Sequence, residues 1–311
     1  MPTFSGSSVT RLYETLLEAL HQHGTVVGKT IDLLAPTLIL DDPTDVFIPI
    51  KKQHWVWAFC EASDRLDPEF QNPGYAWRFR TNWKKKLQKE GGETFCYSYG
   101  EVFRRQLPAL LQILRRKQTR EAIISVWSSR YLLSNKEFER TPCTLTLHFL
   151  IRDEALHLFV NMRTNDAMNL LPYDILQHTI LQNYVAAHLG LNLGQYHHSA
   201  SHVYYQKRRR LGNIDRVLEE LRKTHSDPEI IFEPDTVAAD MQEHYDILRE
   251  LRAGLEVSSI SHTILQEIQS SFVRDWTALL IMAEARLQSV DFQYNFNSPV
   301  FSFIHRLGYS L

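Results

Sequence analysis

From Thr144 to Ile151 the chain alternates: Leu145, Leu147, Phe149 and Ile151 face one way, Thr144, Thr146 and His148 mostly the other, the pattern of a half-buried strand. Arg152-Asp153-Glu154-Ala155 reads as a turn and residues 156 to 162 as a second strand. Folding this hairpin about Asp153 brings Cys143 and Arg163, twenty residues apart, to the same end of the sheet. The period then becomes helical. Apolar residues at 176, 180, 184, 187 and 191 predict a helix over Leu170 to Leu191. Pro172 suits its first turn, Asp174 is favoured there by the helix dipole, and Gly190 sits near its end. Gln195 to Tyr205 reads as a further strand with His198, His202 and Tyr204 on one face.

Upstream, residues 8 to 22 carry a helical stripe of Leu12, Leu16, Leu17 and Leu20. Gly24 to Gly28 reads as a loop and Ile31 to Leu40 as a strand. Lys51 to Leu66 is a helix rich in aromatic residues, Asn72-Pro73-Gly74 a turn, Gln106 to Gln118 a helix ending in basic residues, and Ala122 to Trp127 a strand. Downstream, Asn213 caps a helix over Ile214 to Thr224. Helical patterns follow at 235 to 253 and 258 to 289, with Gly254 between them. The second carries one stripe of Ile260, Ile264, Ile268, Phe272, Trp276 and Leu279, and Phe292 to Phe296 reads as a short strand.

Composition narrows the classes. A chain of 311 residues with 44% hydrophobic content can bury a core. A net charge of −2 argues against a general nucleic-acid binder. Three cysteines make no disulfide framework and suggest a reducing compartment. No apolar run is long enough for a membrane span and the polar N-terminus does not resemble a signal peptide, so the expectation is a soluble cytoplasmic protein. A thiol beside a guanidinium has its ionised form favoured, which would make Cys143 a nucleophile. Against that stands the usual role of cysteine as a small buried hydrophobe.

Four motifs in order carry a resemblance. Pro142-Cys143 is followed by Arg163-Thr164-Asn165-Asp166, then Pro172-Tyr173-Asp174 opening a helix, then His202-Val203-Tyr204 on a strand. These resemble the Pro-Cys, Arg-Ser-x-Asp, Pro-Phe-Asn and His-x-Tyr motifs of the thymidylate synthase superfamily, which includes phage deoxycytidylate hydroxymethylases and the cytidylate hydroxymethylases of nucleoside-antibiotic pathways. Tyr97-Ser98-Tyr99-Gly100 with Arg104, and Arg120 through Trp127, resemble two further motifs of that family.

The resemblance implies an α+β fold, a thymidylate-synthase-like mixed β-sheet packed with helices. Residues 1–210 would form the catalytic domain and 211–311 a mostly helical C-terminal extension completing the same domain or a dimer. It implies Cys143 as the nucleophile at carbon 6 of a pyrimidine, Arg163 near thiolate and phosphate, Thr164 (serine in the family) donating to the phosphate, and His202 and Tyr204 on the sugar hydroxyl. Asp166, Trp83 and Lys51 would bind 5,10-methylenetetrahydrofolate, a co-substrate, with no metal required. Tyr99 would aid proton removal from carbon 5, and Arg120 would cross a homodimer interface to the partner's nucleotide phosphate. A glutamate of the Lys51–Leu66 helix would handle protons. Glu61, ten residues after Lys51 and 22 before Trp83, matches the family intervals, whereas His54 would match if Trp57 were the guide.

The chain departs from the family at several places. Lys29 is the only cation in a loop that normally carries a phosphate-binding arginine, Glu121 replaces a second arginine beside Arg120, and Thr144 stands where histidine is usual. Asp174 replaces the asparagine that pairs with uracil. A carboxylate cannot donate to a carbonyl but accepts from an exocyclic amine and a protonated ring nitrogen, which is cytosine chemistry. The expectation is therefore folate-dependent C5 hydroxymethylation of CMP or dCMP. The alternatives are C5 methylation of that nucleotide or of dUMP, or a non-catalytic nucleotide-binding relative.

Overall fold

The computed structural model describes residues 2–51, 53–89, 91–116, 119–133, 141–206, 214–223, 231–260 and 262–307. Asn213 and the tail at 308–311 lie outside the described residues, as do parts of the segment around Pro228. In chain order the elements begin with β1 (Thr3–Gly6), α1 (Val9–His23), β2 (Thr25–Val27), β3 (Thr30–Leu34), β4 (Thr37–Leu40), α2 (Trp55–Leu66), α3 (Thr81–Lys89) and α4 (Tyr99–Leu114). Next come β5 (Ile123–Ser125), α5 (Arg130–Leu133), β6 (Thr144–Arg152), β7 (Ala155–Met162), β8 (Asn165–Asp166), α6 (Leu171–Leu189), β9 (Asn192–Ala200) and β10 (His202–Gln206). The chain closes with α7 (Ile214–Lys223), α8 (Val237–Arg252), α9 (Ser271–Gln288) and α10 (Pro299–Arg306). Among the described residues no helix is long and apolar enough to cross a membrane.

Residues 1–50, 105–182 and 191–228 make one compact unit, which holds both sheets. The larger sheet has the order β1-β4-β9-β7-β6-β5 and is mixed, with β1–β4 and β7–β9 parallel and the other pairs antiparallel. The smaller has the order β2-β3-β10-β8. The leucine stripe of α1 is buried as its spacing predicts. Tyr13 on the same helix is fully buried and its hydroxyl donates to Ala167 O at 2.8 Å. Gln182 of α6 donates from Nε2 to Leu156 O (2.8 Å) and Gly194 O (3.0 Å), carbonyls of β7 and β9.

The hairpin β6–β7 forms as expected, with Asp153 and Glu154 both at positive φ in its tight turn. Two other strands differ from expectation. The run Ile31 to Leu40 breaks at Ala35-Pro36, where Ala35 takes φ 48°, and becomes β3 and β4 in different sheets. Gln195 to Tyr205 breaks at Ser201 in the same way, so β9 belongs to the larger sheet and β10 to the smaller. His198 and His202 therefore share no strand face. The two breaks lie opposite each other: Ala35 N donates to Ser201 O at 2.9 Å, and Ser201 N to Met162 O at 3.0 Å. β7 bends at the same level through Arg163 and Thr164 into β8. Three strands thus leave one sheet and enter the other at a common corner. Gly24 to Gly28 is also not merely a loop, because the β-branched Thr25-Val26-Val27 pairs with β3.

Residues 51–104, 183–190 and 229–311 make the second compact unit. Its core is aromatic. Trp276 of α9 is fully buried and donates from Nε1 to Phe59 O at 3.1 Å, with Phe59, Phe272 and Phe301 packed about it. Helix α2 starts at Trp55, leaving Lys51 in an exposed turn. Helix α4 starts at Tyr99 rather than at Gln106. Gly100 in its first turn allows this, since a Cβ there would meet Phe70 and Asp64 O at 2.6 and 2.7 Å.

The stripe from Ile260 to Leu279 is not one helix. It is two short 3-10 turns followed by α9, whose start is fixed by the Ser270 side chain accepting from Val273 N. Phe292 to Phe296 is not a strand. Asp275 holds that segment instead, accepting from Tyr294 Oη (2.8 Å), Asn297 N (2.7 Å) and Ser298 N (2.6 Å). Ser298 then caps α10, with Pro299 opening it.

Candidate active site

The corner of the first unit gathers Cys143, Arg163, Thr164, Asp166, His202 and Tyr204. Cys143 is half-buried immediately before β6. Arg163 directly follows β7, the neighbouring strand, and its backbone N donates to Cys143 O at 2.9 Å. Its guanidinium donates from Nε to Pro142 O (2.9 Å) and from Nη2 to Thr141 O (3.2 Å) and Thr141 Oγ1 (3.3 Å), so the arginine fixes the approach to the cysteine as well as standing beside it. Trp127 lies under the same guanidinium at 5.8 Å.

Burial pushes the Cys143 thiol above its ordinary range; the Arg163 charge pulls it down, while Asp174 and Asp166 raise it further. The guanidinium thus acts in the expected direction without outweighing desolvation. A bulge between Thr144 and Thr146 turns Thr144 inward, where it is fully buried and donates to Met162 Sδ at 3.5 Å.

Thr164 Oγ1 is buried and has no partner among the described residues. A hydroxyl in that state suits a ligand oxygen. Asp166 is 3% exposed, and its Oδ1 accepts from Met168 N and Asn169 N, each at 3.1 Å, which caps the turn into α6. Asp174 is half-buried in the first turn of that helix, near enough for its charge to act on the Cys143 thiol. On β10, His202 and Tyr204 stack at 5.7 Å between ring centres. His202 Nδ1 lies 3.2 Å from Asp32 Oδ2 on β3, opposite Tyr204 in the register. Arg120 is exposed just before β5, and its carbonyl is 3.1 Å from His148 Nε2. Lys29 is exposed in the β2–β3 turn.

Glu61, Trp83 and Tyr99 come together in the second unit. They line a cleft of about 410 Å³, counted to its open mouth, with Trp57, Trp77 and Asp64. Trp83 stacks on Trp57 at 5.8 Å, Arg80 covers the Trp57 ring at 4.4 Å, and Arg65 lies over Tyr99 at 4.4 Å. Arg65 also bridges Glu61 at 3.2 Å. Lys51 does not line this cleft. His54 is the residue before α2 and makes no side-chain cap.

Asp64 and Asp32 are not singled out by the sequence motifs. A single acid inside the apolar run Ile31 to Leu34, and an acid three residues after Glu61 on one helix, are the signals that could have found them.

Residues 47–248 match the family model described as thymidylate synthase. The chain is 25% identical over 236 residues to a deoxyuridylate hydroxymethyltransferase of Bacillus phage SP01, an alignment covering 66% of this chain and 59% of that protein. It is 23% identical over 232 residues to thymidylate synthase 1 of Bacillus spizizenii, covering 67% of this chain and 76% of the relative. The thermostable thymidylate synthase A of Bacillus subtilis superposes with a TM-score of 0.55 at 19% identity, over 71% of this chain and 86% of that one, which is a likeness of fold. Because the family model matches well over half its length, the chain belongs to the thymidylate synthase family.

Proposed function

We propose that the protein is a one-carbon transferase that hydroxymethylates carbon 5 of a cytidine monophosphate, CMP or dCMP, using 5,10-methylenetetrahydrofolate as co-substrate. The observation that carries this reading is Asp174, half-buried in the first turn of α6 with its charge felt at the Cys143 thiol. A carboxylate there accepts from the cytosine amine and a protonated ring nitrogen, and it has nothing to donate to the carbonyl of uracil. The name of the phage relative, a deoxyuridylate hydroxymethyltransferase, supports water rather than hydride as the final reactant. Its uracil base and the thymidylate synthases favour the alternative, methylation or hydroxymethylation of dUMP.

In this reading the Cys143 thiolate attacks carbon 6 of the ring, which makes carbon 5 nucleophilic. Arg163 keeps the Thr141–Cys143 backbone in place and offers positive charge to thiolate and phosphate. Thr164 donates its unpartnered hydroxyl to the phosphate, His202 and Tyr204 hold the sugar, and Arg120 serves a partner subunit's phosphate in a homodimer. Glu61 and Tyr99 take part in proton transfers, including removal of the carbon 5 proton. The cleft's tryptophans and carboxylates are residue types that stack on a flat pteridine and accept from its N–H edge. The family resemblance gives Trp83 a stacking role on the folate, and Asp166 and Lys51 polar contacts with it. When bound, the folate supplies a one-carbon unit at the oxidation level of formaldehyde.

The test is tritium release from carbon-5-labelled CMP, dCMP and dUMP, with the folate present, for the wild type and Cys143→Ala. Release from a cytidine nucleotide that is lost in the variant is the expected result. Release from dUMP alone would sink the cytosine assignment, and no release from any would favour a non-catalytic nucleotide-binding relative.

A further inference from the structure

We infer that Asp64 is the proton-donating partner of Glu61 in the aromatic cleft and that helix α8 of the C-terminal segment tunes it, an inference that rests on the reading of Glu61 as a proton-transfer residue. Asp64 follows Glu61 by three residues on α2, so the two carboxyl groups share a helix face, and both line the cleft with Tyr99. Their surroundings differ. Glu61 is bridged by Arg65 at 3.2 Å, an ion pair that uses its carboxylate. Asp64 is held by backbone: Tyr75 N donates to its two oxygens at 3.0 and 2.9 Å, and Ala76 N to Oδ2 at 3.0 Å. The turn closes tightly over it, since a Cβ on Gly74 would come within 2.3 Å of Oδ2. A carboxyl fixed in this way retains lone-pair capacity for a proton.

Asp64 also borders a second, smaller cavity, of about 290 Å³ counted in the same way as the cleft. Ser63 and Asp67 line it from the α2 side and Tyr245, Arg249 and Arg252 from α8. Tyr245 is 3% exposed and its hydroxyl has no hydrogen-bond partner among the described residues. Asp64 therefore separates two polar spaces, the cleft and a cavity walled by α8.

The titratable and charged groups about it are Cys60, Glu61 and Arg65 on its own helix, Asp67 just beyond, Tyr75 in the turn, Tyr97 and Tyr99 at α4, and the three α8 residues named above. Burial drives the Asp64 carboxyl up, the backbone bonds hold it down, Glu61 raises it and Arg252 lowers it, leaving it at about 7. The two carboxyl groups thus sit in unlike surroundings, one in an ion pair and the other under burial and backbone donors, the division of roles that acid–base chemistry needs. Asp64 breaks its O–H bond and delivers the proton to an acceptor in the cleft, while Glu61 takes up the proton released there. Between turnovers Glu61 returns its proton to solvent and Asp64 regains one from solvent, so charge and protons balance without another reactant.

Carbon-13 NMR of aspartate-labelled protein, with Asp64→Asn identifying the signal, reads the carboxyl directly. Asp64 should titrate at about 7, lower in Glu61→Gln and higher in Arg252→Gln. The alkaline limb of carbon-5 tritium release should follow, moving up in Arg252→Gln and vanishing in Asp64→Asn. A carboxyl ionised throughout from pH 5 upward would overturn the inference, as would a limb that stays put in Arg252→Gln while the NMR titration moves. If no nucleotide releases tritium, the functional reading fails, and the NMR titration in Glu61→Gln and Arg252→Gln alone decides whether the couple exists.

Discussion

Arg163 has two separable jobs, and they can be measured apart. Its charge lowers a thiol that burial and two aspartates raise, and its planar fork ties down the carbonyls of Thr141 and Pro142. Arg163→Gln removes the charge, so the Cys143 thiol should titrate higher still. At a pH below its midpoint, a thiol that titrates about one pH unit higher has roughly a tenth of the thiolate. Alkylation of Cys143 by iodoacetamide, followed on its own peptide by mass spectrometry across neutral to alkaline pH, should be slower in the variant at every pH below the wild-type midpoint. Arg163→Lys should keep the alkylation profile near wild type while losing most nucleotide affinity, because a point charge cannot hold both carbonyls. Identical profiles in wild type and Arg163→Gln would show that the guanidinium acts only through position. Asp32 makes a related point about legibility: it meets His202 from a neighbouring strand far away in the chain, a pairing that only the register β3–β10 creates.

At the level of elements, periodicity locates the hairpin β6–β7 and helices α1, α2 and α6 closely, because each has a continuous apolar face and a clear stop, such as Gly190 at φ 61° after α6. It fails where a strand changes sheets. Ile31 to Leu40 and Gln195 to Tyr205 keep their alternation through the bend, and Pro36 is the one local sign of a break. The motif residues at that corner are legible because the family pattern fixes their order. Asp64 is not, because no motif includes it and its character comes from burial under a turn.

The C-terminal helices are hard to read for a different reason: a polar residue deep in a helix, Asp275, organises a segment twenty residues away that has no pattern of its own. Asp275→Ala leaves the donors of Tyr294, Asn297 and Ser298 without their acceptor. The loss should be on the order of 3 kcal/mol of stability by urea denaturation. Protease sensitivity should appear first between Phe292 and Ser298. A variant as stable as the wild type would mean the segment is held by its aromatic contacts instead.

On the scale of the molecule, the two compact units carry different acid responses. In the first, His198 is buried between Tyr196 Oη (2.8 Å) and Asn165 Nδ2 (3.1 Å), and burial depresses it to about 4. Burial also lowers His157 and His197 in that unit. As pH falls through the ordinary histidine value of 6.5 toward 4, the unfolded chain binds a proton at His198 that the folded one refuses, so stability falls with pH. The loss is about 1.4 kcal/mol per pH unit for a fully buried ring.

The second unit contains one group of each sign. His244, buried between Ser63 and Thr277, is depressed to about 3 and loses stability in the same window. Asp64 is raised from 3.8 to about 7, so between those values the folded form holds a proton that the unfolded form lacks, and stability grows as pH falls. The two slopes are equal and opposite across most of the window, whereas His198 has no such counterweight among the shifted groups of its own unit. Hydrogen exchange read by mass spectrometry, corrected for intrinsic rates and taken from about pH 7.5 to about pH 4.5, should show protection lost first in β9, β7 and α1. Helices α2, α8 and α9 should keep theirs. Asp64→Asn should remove that advantage and make the second unit as acid-sensitive as the first; loss of protection in α8 and α9 ahead of β9 in the wild type would sink the assignment of these buried groups.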